Sequence, residues 1–296
     1  MSYSLPSTTP IVNGISELAD DYDGFVLDTA GVLHDGSAVY PGALDALRQL
    51  KSRGKKVCLL TNQARRTSSS ARLLAEMGLE PDLYDHLLTS GELAHQWLRH
   101  RPDEWLQELG TACLHFGPIR DAELIHGLDM EAVDQPYLAQ FVLCTGFNEV
   151  EDVLADYEEV LRICVAKDLP LLCADPERWR LVNGERCPGA GAMARRYADL
   201  GGDVEYCGLP FGEMYARCFD LLGIADHSRI LAVGDNLTTD IAAASAAGID
   251  SVLVTGGIHR ADFQTVWGEA PKPERLESFL AAAPKRPRAA LATFVW

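Results

Sequence analysis

Short apolar runs alternate with longer amphipathic segments along most of the chain, from about residue 24 to residue 258. The apolar runs have the length of strands that are buried on both faces of a sheet. The amphipathic segments carry apolar residues three and four positions apart, which is the spacing of one helix face. This alternation predicts right-handed βαβ units around a parallel sheet, and therefore an α/β fold. The pattern predicts strands at residues 25–27, 57–60, 87–90, 113–116, 141–144, 171–173, 204–207, 230–233 and 251–254.

Helices are predicted between these strands, and proline or glycine marks several of their ends. Pro41 favours a helix start, and Gly54 and Gly78 favour helix ends. The pattern predicts helices at residues 41–53, 68–77, 91–99, 150–166, 188–200, 211–222 and 238–247. We also expect an extended arm at 1–20, a small flap or hairpin at 34–40, and a basic, proline-rich surface segment at 284–288.

Composition and charge limit the class of protein. The 296 residues suffice for one large or two ordinary domains, and an apolar content of 47% suffices for a full core. The net charge of -17 argues against a nucleic-acid partner. No apolar run is long enough to cross a membrane and the N-terminus has no signal-peptide pattern, so we expect a cytoplasmic protein without a membrane partner. None of the eight cysteines lies in a CxxC pair, which predicts reduced core thiols and neither disulfides nor a zinc site.

Polar side chains follow three of the predicted strands. Asp28 ends the first strand, Thr61 and Asn62 end the second, and Asp235 follows a later strand with Asp240 close behind. Functional groups of open α/β sheets lie at the carboxyl ends of the strands, although an Asp at a strand end can also simply cap a turn. Two carboxylates brought together there repel each other unless a cation lies between them, and Mg²⁺ prefers such oxygen ligands.

A phosphoryl-transfer site follows from this combination. A Thr hydroxyl near a helix N-terminus binds phosphate oxygens, which is the role we expect for Thr61. Asp28 would attack phosphorus while the metal ion neutralises the developing charge.

The order and spacing of these motifs resemble the haloacid dehalogenase (HAD) superfamily. The matching motifs are Asp28-x-x-Gly31, Leu60-Thr61-Asn62 and Gly234-Asp235-Asn236-x-x-x-Asp240. Further stretches resemble its class IIA branch of sugar-phosphate and p-nitrophenyl-phosphatase-like proteins: Gly31-Val32-Leu33-His34-Asp35-Gly36, Ala174-Asp175-Pro176, Pro188-Gly189-Ala190-Gly191 and residues 240–249. The resemblance implies a Rossmann-like core with a parallel sheet, formed by residues 1–88 and 205–296, and an inserted α/β cap formed by residues 89–204.

The resemblance also implies a role for individual residues. Asp28 would be the nucleophile and a ligand of Mg²⁺, with the Ala30 backbone carbonyl and Asp235 as the other protein ligands. Asp240 and Asn236 would support the metal site from outside. Thr61, Asn62 and Asp175 would bind the phosphate or the rest of a small phosphorylated metabolite, such as a sugar phosphate.

Two positions depart from the pattern of the family's phosphatases. Those enzymes carry a second Asp, the general acid for the leaving oxygen, where this chain has Ala30. Their Gly-Lys-Pro motif is Gly208-Leu209-Pro210 here, so the lysine is missing as well. Loss of a general acid typically costs ~10²–10⁴-fold in rate. The candidates for a replacement cation are Arg65, Arg66 and Arg217, and those for another acid or for lining the entrance are His34 and Asp35.

Three functions stay open at this point. The first is a Mg²⁺-dependent phosphatase that acts through an aspartyl-phosphate on Asp28. The second is a catalytically degenerate HAD-fold protein that binds a phosphorylated ligand or a protein partner. The third is a phosphonate C–P hydrolase, because phosphonoacetaldehyde hydrolase of the same superfamily also has Ala at this position, with Lys167 as the amine. Trp179 and Arg180 are further candidates for substrate contact, and the oligomeric state stays open, a homodimer included.

Overall fold

The larger of two parallel sheets carries the strand ends that the sequence singled out. The computed structural model describes residues 8–281, 283 and 286–296. Seven strands form this sheet in the order β1-β14-β13-β12-β2-β3-β4. Their bounds are β1 (Ile11–Val12), β2 (Gly24–Leu27), β3 (Lys56–Thr61), β4 (His86–Thr89), β12 (Ile230–Gly234), β13 (Asp250–Val254) and β14 (Ala289–Leu291).

The register of the three central strands aligns their carboxyl ends. Leu27 of β2 pairs with Val233 of β12 on one side and with Leu59 of β3 on the other. The residues just beyond these pairs therefore meet at one edge of the sheet, as expected for adjacent parallel strands. This register places Asp28, Asp235 and Thr61 side by side.

A second, five-stranded parallel sheet has the order β11-β8-β7-β5-β6, and an antiparallel hairpin pairs β9 with β10. Their bounds are β5 (Ala112–Phe116), β6 (Glu131–Val133), β7 (Phe141–Cys144), β8 (Leu171–Cys173), β9 (Trp179–Val182), β10 (Glu185–Pro188) and β11 (Val204–Tyr206). The predicted domain boundaries at residues 88 and 204 stay predictions. The pairing of β11 with β8 places Glu205 and Tyr206 in the smaller sheet.

Ten α-helices and several single turns connect the described strands. The helices are α1 (Ala43–Ser52), α2 (Thr67–Glu76), α3 (Ser90–His100), α4 (Glu104–Glu108), α5 (Leu154–Ala166), α6 (Ala190–Asp199), α7 (Glu213–Leu222), α8 (Ala242–Ala246), α9 (Arg260–Phe263) and α10 (Pro273–Leu280). Short 3₁₀ segments are Ile15–Glu17, Ala19–Asp21, Pro81–Leu83, Ile119–Ile125 and His227–Arg229, and a π-helical turn spans Leu237–Ile241.

The apolar runs are buried on both faces of the sheets, as their composition predicts. In β2, Phe25 and Leu27 pack into the cluster on one face of the larger sheet, and Val26 packs into the cluster on the other face. Full burial of such a side chain contributes roughly 1.5–3 kcal/mol. A third cluster around Tyr197 fills one side of the smaller sheet.

Several predicted boundaries were wrong. The helix predicted from residue 150 begins at Leu154, and the helix predicted from residue 211 begins at Glu213, while residue 90 belongs to a helix and not to a strand. The alanine-rich helix predicted at 238–247 is a π-helical turn followed by the short α8. Local pattern does not specify these ends because capping and tertiary contacts set them.

The two termini contain strands that the sequence analysis missed. Residues 11–12 of the predicted arm form β1, and β14 inserts between β1 and β13. Within the predicted surface segment, Pro287 is buried because it leads into β14, whereas Arg288 is exposed. Residues 1–7 of the arm, and residues 284 and 285, lie outside the described residues.

The cysteines and the flap match their predictions. All eight cysteines lie within the described part of the chain; they are free thiols, and seven of them are buried. The flap closes through an antiparallel bridge between His34 and Val39. Among the described residues, no helix is both long and apolar enough to cross a membrane.

Candidate active site

Three carboxylates converge at the carboxyl ends of β2 and β12. Asp28 directly follows β2, Asp235 directly follows β12, and Asp240 lies in the π-helical turn behind it. One carboxylate oxygen of each residue lies within 4.8 Å of the other two. The structure therefore brings together the acidic residues that the motifs had singled out.

Burial and mutual repulsion raise the pKa of all three carboxyl groups. For Asp28 the largest cause is burial, followed by the charges of Asp240 and Asp235. Burial and then the charge of Asp240 raise the pKa of Asp235. Burial and the nearby Glu177 raise the pKa of Asp240 to about 7. A cation between these groups would favour their charged forms and remove this penalty.

The position of Asp235 is fixed by close packing. Its Oδ2 accepts a 2.6 Å hydrogen bond from the backbone N–H of Ile258. Two glycines lie against it: a Cβ at Gly31 would lie 1.8 Å from its Oδ2, and a Cβ at Gly257 would lie 2.0 Å from the same atom. Gly31 also has a φ of +91°, which L side chains rarely adopt. Both positions therefore need glycine for Asp235 to stay in place.

Asp240 supports the site from behind. Its Oδ2 accepts hydrogen bonds of 3.0 Å from the backbone N–H groups of Asp235 and Asn236. The side chain of Asn236 caps the turn, because its Oδ1 accepts from the Thr238 backbone N–H at 2.9 Å. These bonds hold the loop that carries Asp235.

Thr61 has a hydroxyl proton available for a ligand, whereas Asn62 does not have a free side-chain donor. Thr61 Oγ1 accepts a 3.1 Å hydrogen bond from Thr29 Oγ1, and Thr61 lines the cavity. The Asn62 side chain accepts from the Leu209 N–H at 2.7 Å and donates to the Leu209 carbonyl and to Glu177 Oε1. Both hydrogens of its amide are thus occupied. Asn62 therefore links three segments of the chain. The prediction of Asn62 as a phosphate-binding residue did not include this structural role.

Positions 30 and 209 differ in their surroundings. Ala30 lines the cavity and offers no proton. Leu209 is 2% exposed and packs in the apolar cluster that contains Met214 and Tyr215. The side chain that replaces the family's lysine is therefore part of the core.

His34 belongs to the cavity lining and carries a neutral ring. Its Nδ1 accepts a 3.0 Å hydrogen bond from the Gly36 N–H, so the neutral ring carries its proton on Nε2. That Nε2 is buried and has no partner in the described chain. Burial lowers the pKa of His34 to about 4. The ring is thus uncharged at neutral pH, which disfavours it as a general acid.

A cavity of about 290 Å³ lies over the strand ends, a size that suits a small molecule. Its walls come from the strand ends, the flap, the hairpin β9–β10 and the loops above the smaller sheet. The lining includes Asp28, Ala30, His34, Thr61, Asn62, Arg65, Arg120, Asp121, Asp175, Glu177, Trp179, Arg180, Asp235 and Asn236.

Only one of the three candidate replacement cations lies at this cavity. Arg65 lines it. Arg66 instead pairs with Glu92 at 2.7 Å, and Arg217 pairs with Glu213 along α7. Lys167 is exposed just after α5 and does not line the cavity. Lys167 therefore does not supply the amine that a phosphonate hydrolase would need at this site.

Asp175 also lines the cavity, and its neighbour Glu177 is a site residue that the sequence analysis missed. Asp175 Oδ1 accepts from the Glu177 N–H at 2.9 Å, and burial, followed by the charge of Glu177, raises the pKa of Asp175. Glu177 Oε2 accepts a 2.6 Å hydrogen bond from Asn236 Nδ2. Glu177 follows the motif Ala174-Asp175-Pro176 directly, which is the signal that could have identified it.

The hairpin that brings Trp179 and Arg180 to the cavity also had a sequence signal. Asn183 and Gly184 form its two-residue turn with φ values of 52° and 77°. An Asn-Gly pair between two strands is the strongest short-range indication of a hairpin. Arg120 and Asp121 lie in a weakly patterned segment and had no comparable signal.

The donor set fits a hard divalent cation. Asp28 and Asp235 offer carboxylate oxygens at the edge of the cavity, and carboxylate oxygens are ligands that Mg²⁺ prefers. Asp28 and Asp235 would hold the ion, and the backbone carbonyl of Ala30 lies in the same lining segment. Asp240 is occupied with two backbone amides and would act through them.

Two family models match separate parts of the chain. The model for haloacid dehalogenase-like hydrolases matches residues 25–131, and a HAD hydrolase-like model matches residues 206–281. The chain is similar to chronophin of Rattus norvegicus, with 28% identity over 79% of this chain and 77% of that protein. It is also similar to glycerol-3-phosphate phosphatase of Gallus gallus, with 27% identity over 80% of each chain.

A solved structure shares the whole architecture. The crystal structure of a haloacid dehalogenase-like hydrolase from Brucella suis 1330 superposes with a TM-score of 0.81 and 28% identity. The match covers 96% of this chain and 100% of that chain. Both sheets thus belong to the shared fold.

Proposed function

We propose a phosphatase function for this chain, which belongs to the haloacid dehalogenase superfamily and carries the class IIA cap of that superfamily. The substrate is a small phosphorylated metabolite, bound in the cavity above the strand ends, and the cofactor is Mg²⁺. Relatives named as phosphatases, such as the glycerol-3-phosphate phosphatase of Gallus gallus, support the reaction class.

One observation carries the proposal. The oxygens of Asp28, Asp235 and Asp240 lie within 4.8 Å of one another, and Asp28 and Asp235 open onto a cavity that Thr61 also lines. Burial of three acidic groups so close together costs free energy unless a cation binds them. In a site with only a structural role, nothing would offset this cost in free energy.

Each residue has a role in the proposed reaction. A carboxylate oxygen of Asp28 attacks phosphorus from the end of β2, and the bond between phosphorus and the ester oxygen breaks, so that the leaving group departs and Asp28 becomes an aspartyl-phosphate. Water then hydrolyses this intermediate to phosphate and the free carboxylate. Thr61 donates its hydroxyl proton to a phosphate oxygen, and the neutral His34 ring belongs to the lining of the same cavity. The metal ion, when bound, neutralises charge on the phosphate oxygens.

The departures from the family pattern restrict the substrate. Ala30 cannot protonate a leaving oxygen, and neutral His34 is a poor substitute. Leaving groups that depart as weakly basic anions, such as aryl and acyl groups, need that proton least. We therefore expect turnover of p-nitrophenyl phosphate and acetyl phosphate and poor turnover of simple sugar phosphates.

A degenerate binding protein is the second candidate. It is favoured by Leu209, whose burial in the core leaves the site without the family's lysine. Such a protein would bind phosphorylated ligands in the same cavity without turning them over.

Phosphate release separates the two candidates. The full chain is assayed with aryl, acyl and sugar phosphates, in Mg²⁺ and in EDTA, beside Asp28→Asn and the exposed control Asp45→Asn. Turnover that requires Mg²⁺ and is lost only in Asp28→Asn supports the phosphatase. Activity that survives Asp28→Asn contradicts the nucleophile. Binding of a phosphate ester without any turnover supports the degenerate protein.

A further inference from the structure

We propose that the cavity contains a second anion-binding site, formed by Arg65, Arg120 and Arg180, which selects phosphate esters whose leaving group carries another anionic group. This inference rests on the proposed phosphatase function and concerns the leaving group of its substrate. The second anion is a carboxylate or a further phosphate.

Three arginines line this end of the cavity together with Asp121 and Asp175. Arg65 Nε and Arg120 Nε lie 3.8 Å and 3.7 Å from the same atom, Asp121 Oδ1. Arg180 lines the same cavity and its charge also acts on Asp121. Glu123, the next acidic group, already accepts from the Arg66 backbone N–H at 3.1 Å and from Ser69 Oγ at 2.7 Å. The charge of Arg180 also acts on Asp175, so two carboxylates of the cavity lining, Asp121 and Asp175, accompany the three guanidinium groups.

Arg180 Nε is a buried hydrogen-bond donor without a partner among the described residues. Arg65 and Arg120 lie 3.8 Å and 3.7 Å from Asp121 Oδ1, farther than a hydrogen bond, and the Arg120 side chain is 58% exposed. By contrast, Arg196 outside the cavity donates to Glu158 at 2.8 Å from Nε. Buried polar atoms of folded proteins normally have partners, and an anionic ligand would supply the acceptor that Arg180 Nε lacks.

The charges of the cavity are divided between two ends. The sheet edge carries Asp28 and Asp235, which a metal ion and the reacting phosphate would neutralise together. The arginines come from the loop after β3, the turn after β5 and strand β9. Burial and the neighbouring Arg120 lower the pKa of Arg65, although the charges of Asp121 and Glu123 act in the opposite direction. Guanidinium groups bind carboxylate and phosphate through paired N–H donors.

A matched pair of aryl esters tests the second anion-binding site, because aryl leaving groups depend little on the missing general acid. We compare 4-methylphenyl phosphate with 4-(carboxymethyl)phenyl phosphate, whose leaving groups differ mainly by the carboxylate. We expect kcat/KM of the full chain with Mg²⁺ to be on the order of 10- to 100-fold higher for the carboxymethyl ester. The corresponding phosphonomethyl ester distinguishes a phosphate-like second anion from a carboxylate.

Arginine variants assign the effect to these residues. Arg180→Gln and Arg120→Gln should each remove most of the preference, because they should lower kcat/KM for the anionic ester much more than for 4-methylphenyl phosphate. Arg195→Gln, which breaks the exposed pair with Asp199 on α6, should change neither substrate. Titration of both esters into Asp28→Asn protein measures the same preference as binding, even where turnover is slow.

The outcomes separate this inference from the proposed function. If 4-methylphenyl phosphate is turned over and neither anionic ester is preferred, the second site is wrong and the phosphatase stands. If the arginine variants slow both esters equally, the arginines bind the reacting phosphate, which also overturns the second site. If no ester is turned over, the proposed function fails, and a binding preference for the anionic esters still supports the arginine site.

Discussion

Asn236 Nδ2 donates a 2.6 Å hydrogen bond to Glu177 Oε2, which ties the loop after β8 to the loop that carries Asp235. The other oxygen of the same carboxylate accepts from Asn62 at 3.1 Å. One side chain thus joins the smaller sheet to two strand ends of the larger sheet.

Removal of the Glu177 carboxylate should loosen this junction. Glu177→Ala leaves the amides of Asn62 and Asn236 without their acceptor, which costs about 1–3 kcal/mol of unfolding free energy when such groups stay buried. We expect faster amide hydrogen exchange in residues 174–178 and a lower Tm. Glu158→Ala, which removes an exposed carboxylate that pairs with Arg162 and Arg196, is the control and should leave exchange at 174–178 unchanged. Unchanged exchange in Glu177→Ala would contradict the role of this contact.

A methyl group at Gly31 should displace Asp235. The added Cβ would lie 1.8 Å from Asp235 Oδ2, at a φ of +91°. Gly54 is the matched control, because it also has a positive φ, of +70°, and its Cβ would meet nothing within 4 Å. We expect Gly54→Ala to cost ~1 kcal/mol from backbone strain alone, and Gly31→Ala to cost at least ~2–3 kcal/mol. Chemical denaturation measures both, and equal costs would argue against the close packing of Asp235.

Mg²⁺ should stabilise the folded chain, and more at pH 8 than at pH 5.5. The carboxyl groups of Asp28, Asp235 and Asp240 have raised pKa values in the folded, metal-free protein, that of Asp240 reaching about 7. The folded state then holds more protons than the unfolded one, so metal-free stability decreases as pH rises from about 4 through about 7. Metal binding requires the deprotonated forms and reverses this loss.

Thermal melts measure this linkage. At pH 8 and a Mg²⁺ concentration 100 times its Kd, we expect Tm to rise by roughly 5 °C. Asp235→Asn should abolish this rise and, because it removes one repelling charge, should raise Tm in EDTA at pH 8. A Mg²⁺ effect that is equal at both pH values, or that survives Asp235→Asn, would show that the ion binds elsewhere.

An acid at position 30 should change the choice of leaving group. Ala30 lines the cavity, so Ala30→Asp places a carboxyl group near the leaving oxygen. We expect turnover of alkyl phosphates to rise by ~10- to 100-fold relative to that of aryl phosphates, because alkoxides depend most on protonation. Ala38→Asp adds the same charge to the exposed end of the flap and serves as the control. An equal change for both substrate types would indicate an electrostatic effect instead of proton donation.

The sequence by itself predicted nine of the parallel strands, β2, β3 and β12 among them, and the acidic residues at their ends. Strands that are buried on both faces need continuous apolar runs. The positions of β2, β3 and β12 can therefore be recognised from the local sequence. Because adjacent parallel strands end at one edge, the strand pattern alone is enough to expect Asp28, Thr61 and Asp235 to meet. The family motifs supplied the same residues through their order and spacing.

The tertiary structure alone decided the partners of these residues. Asn62 lies 115 positions from Glu177 and 147 positions from Leu209, yet it contacts both. The three arginines around Asp121 come from separate segments in the same way, and β14 joins the sheet at the far end of the chain. Such contacts produce no periodic pattern in the local sequence, because chain folding and side-chain packing bring together residues that are far apart along the chain. Local pattern therefore determines where the strands end, whereas long-range packing determines what surrounds those ends.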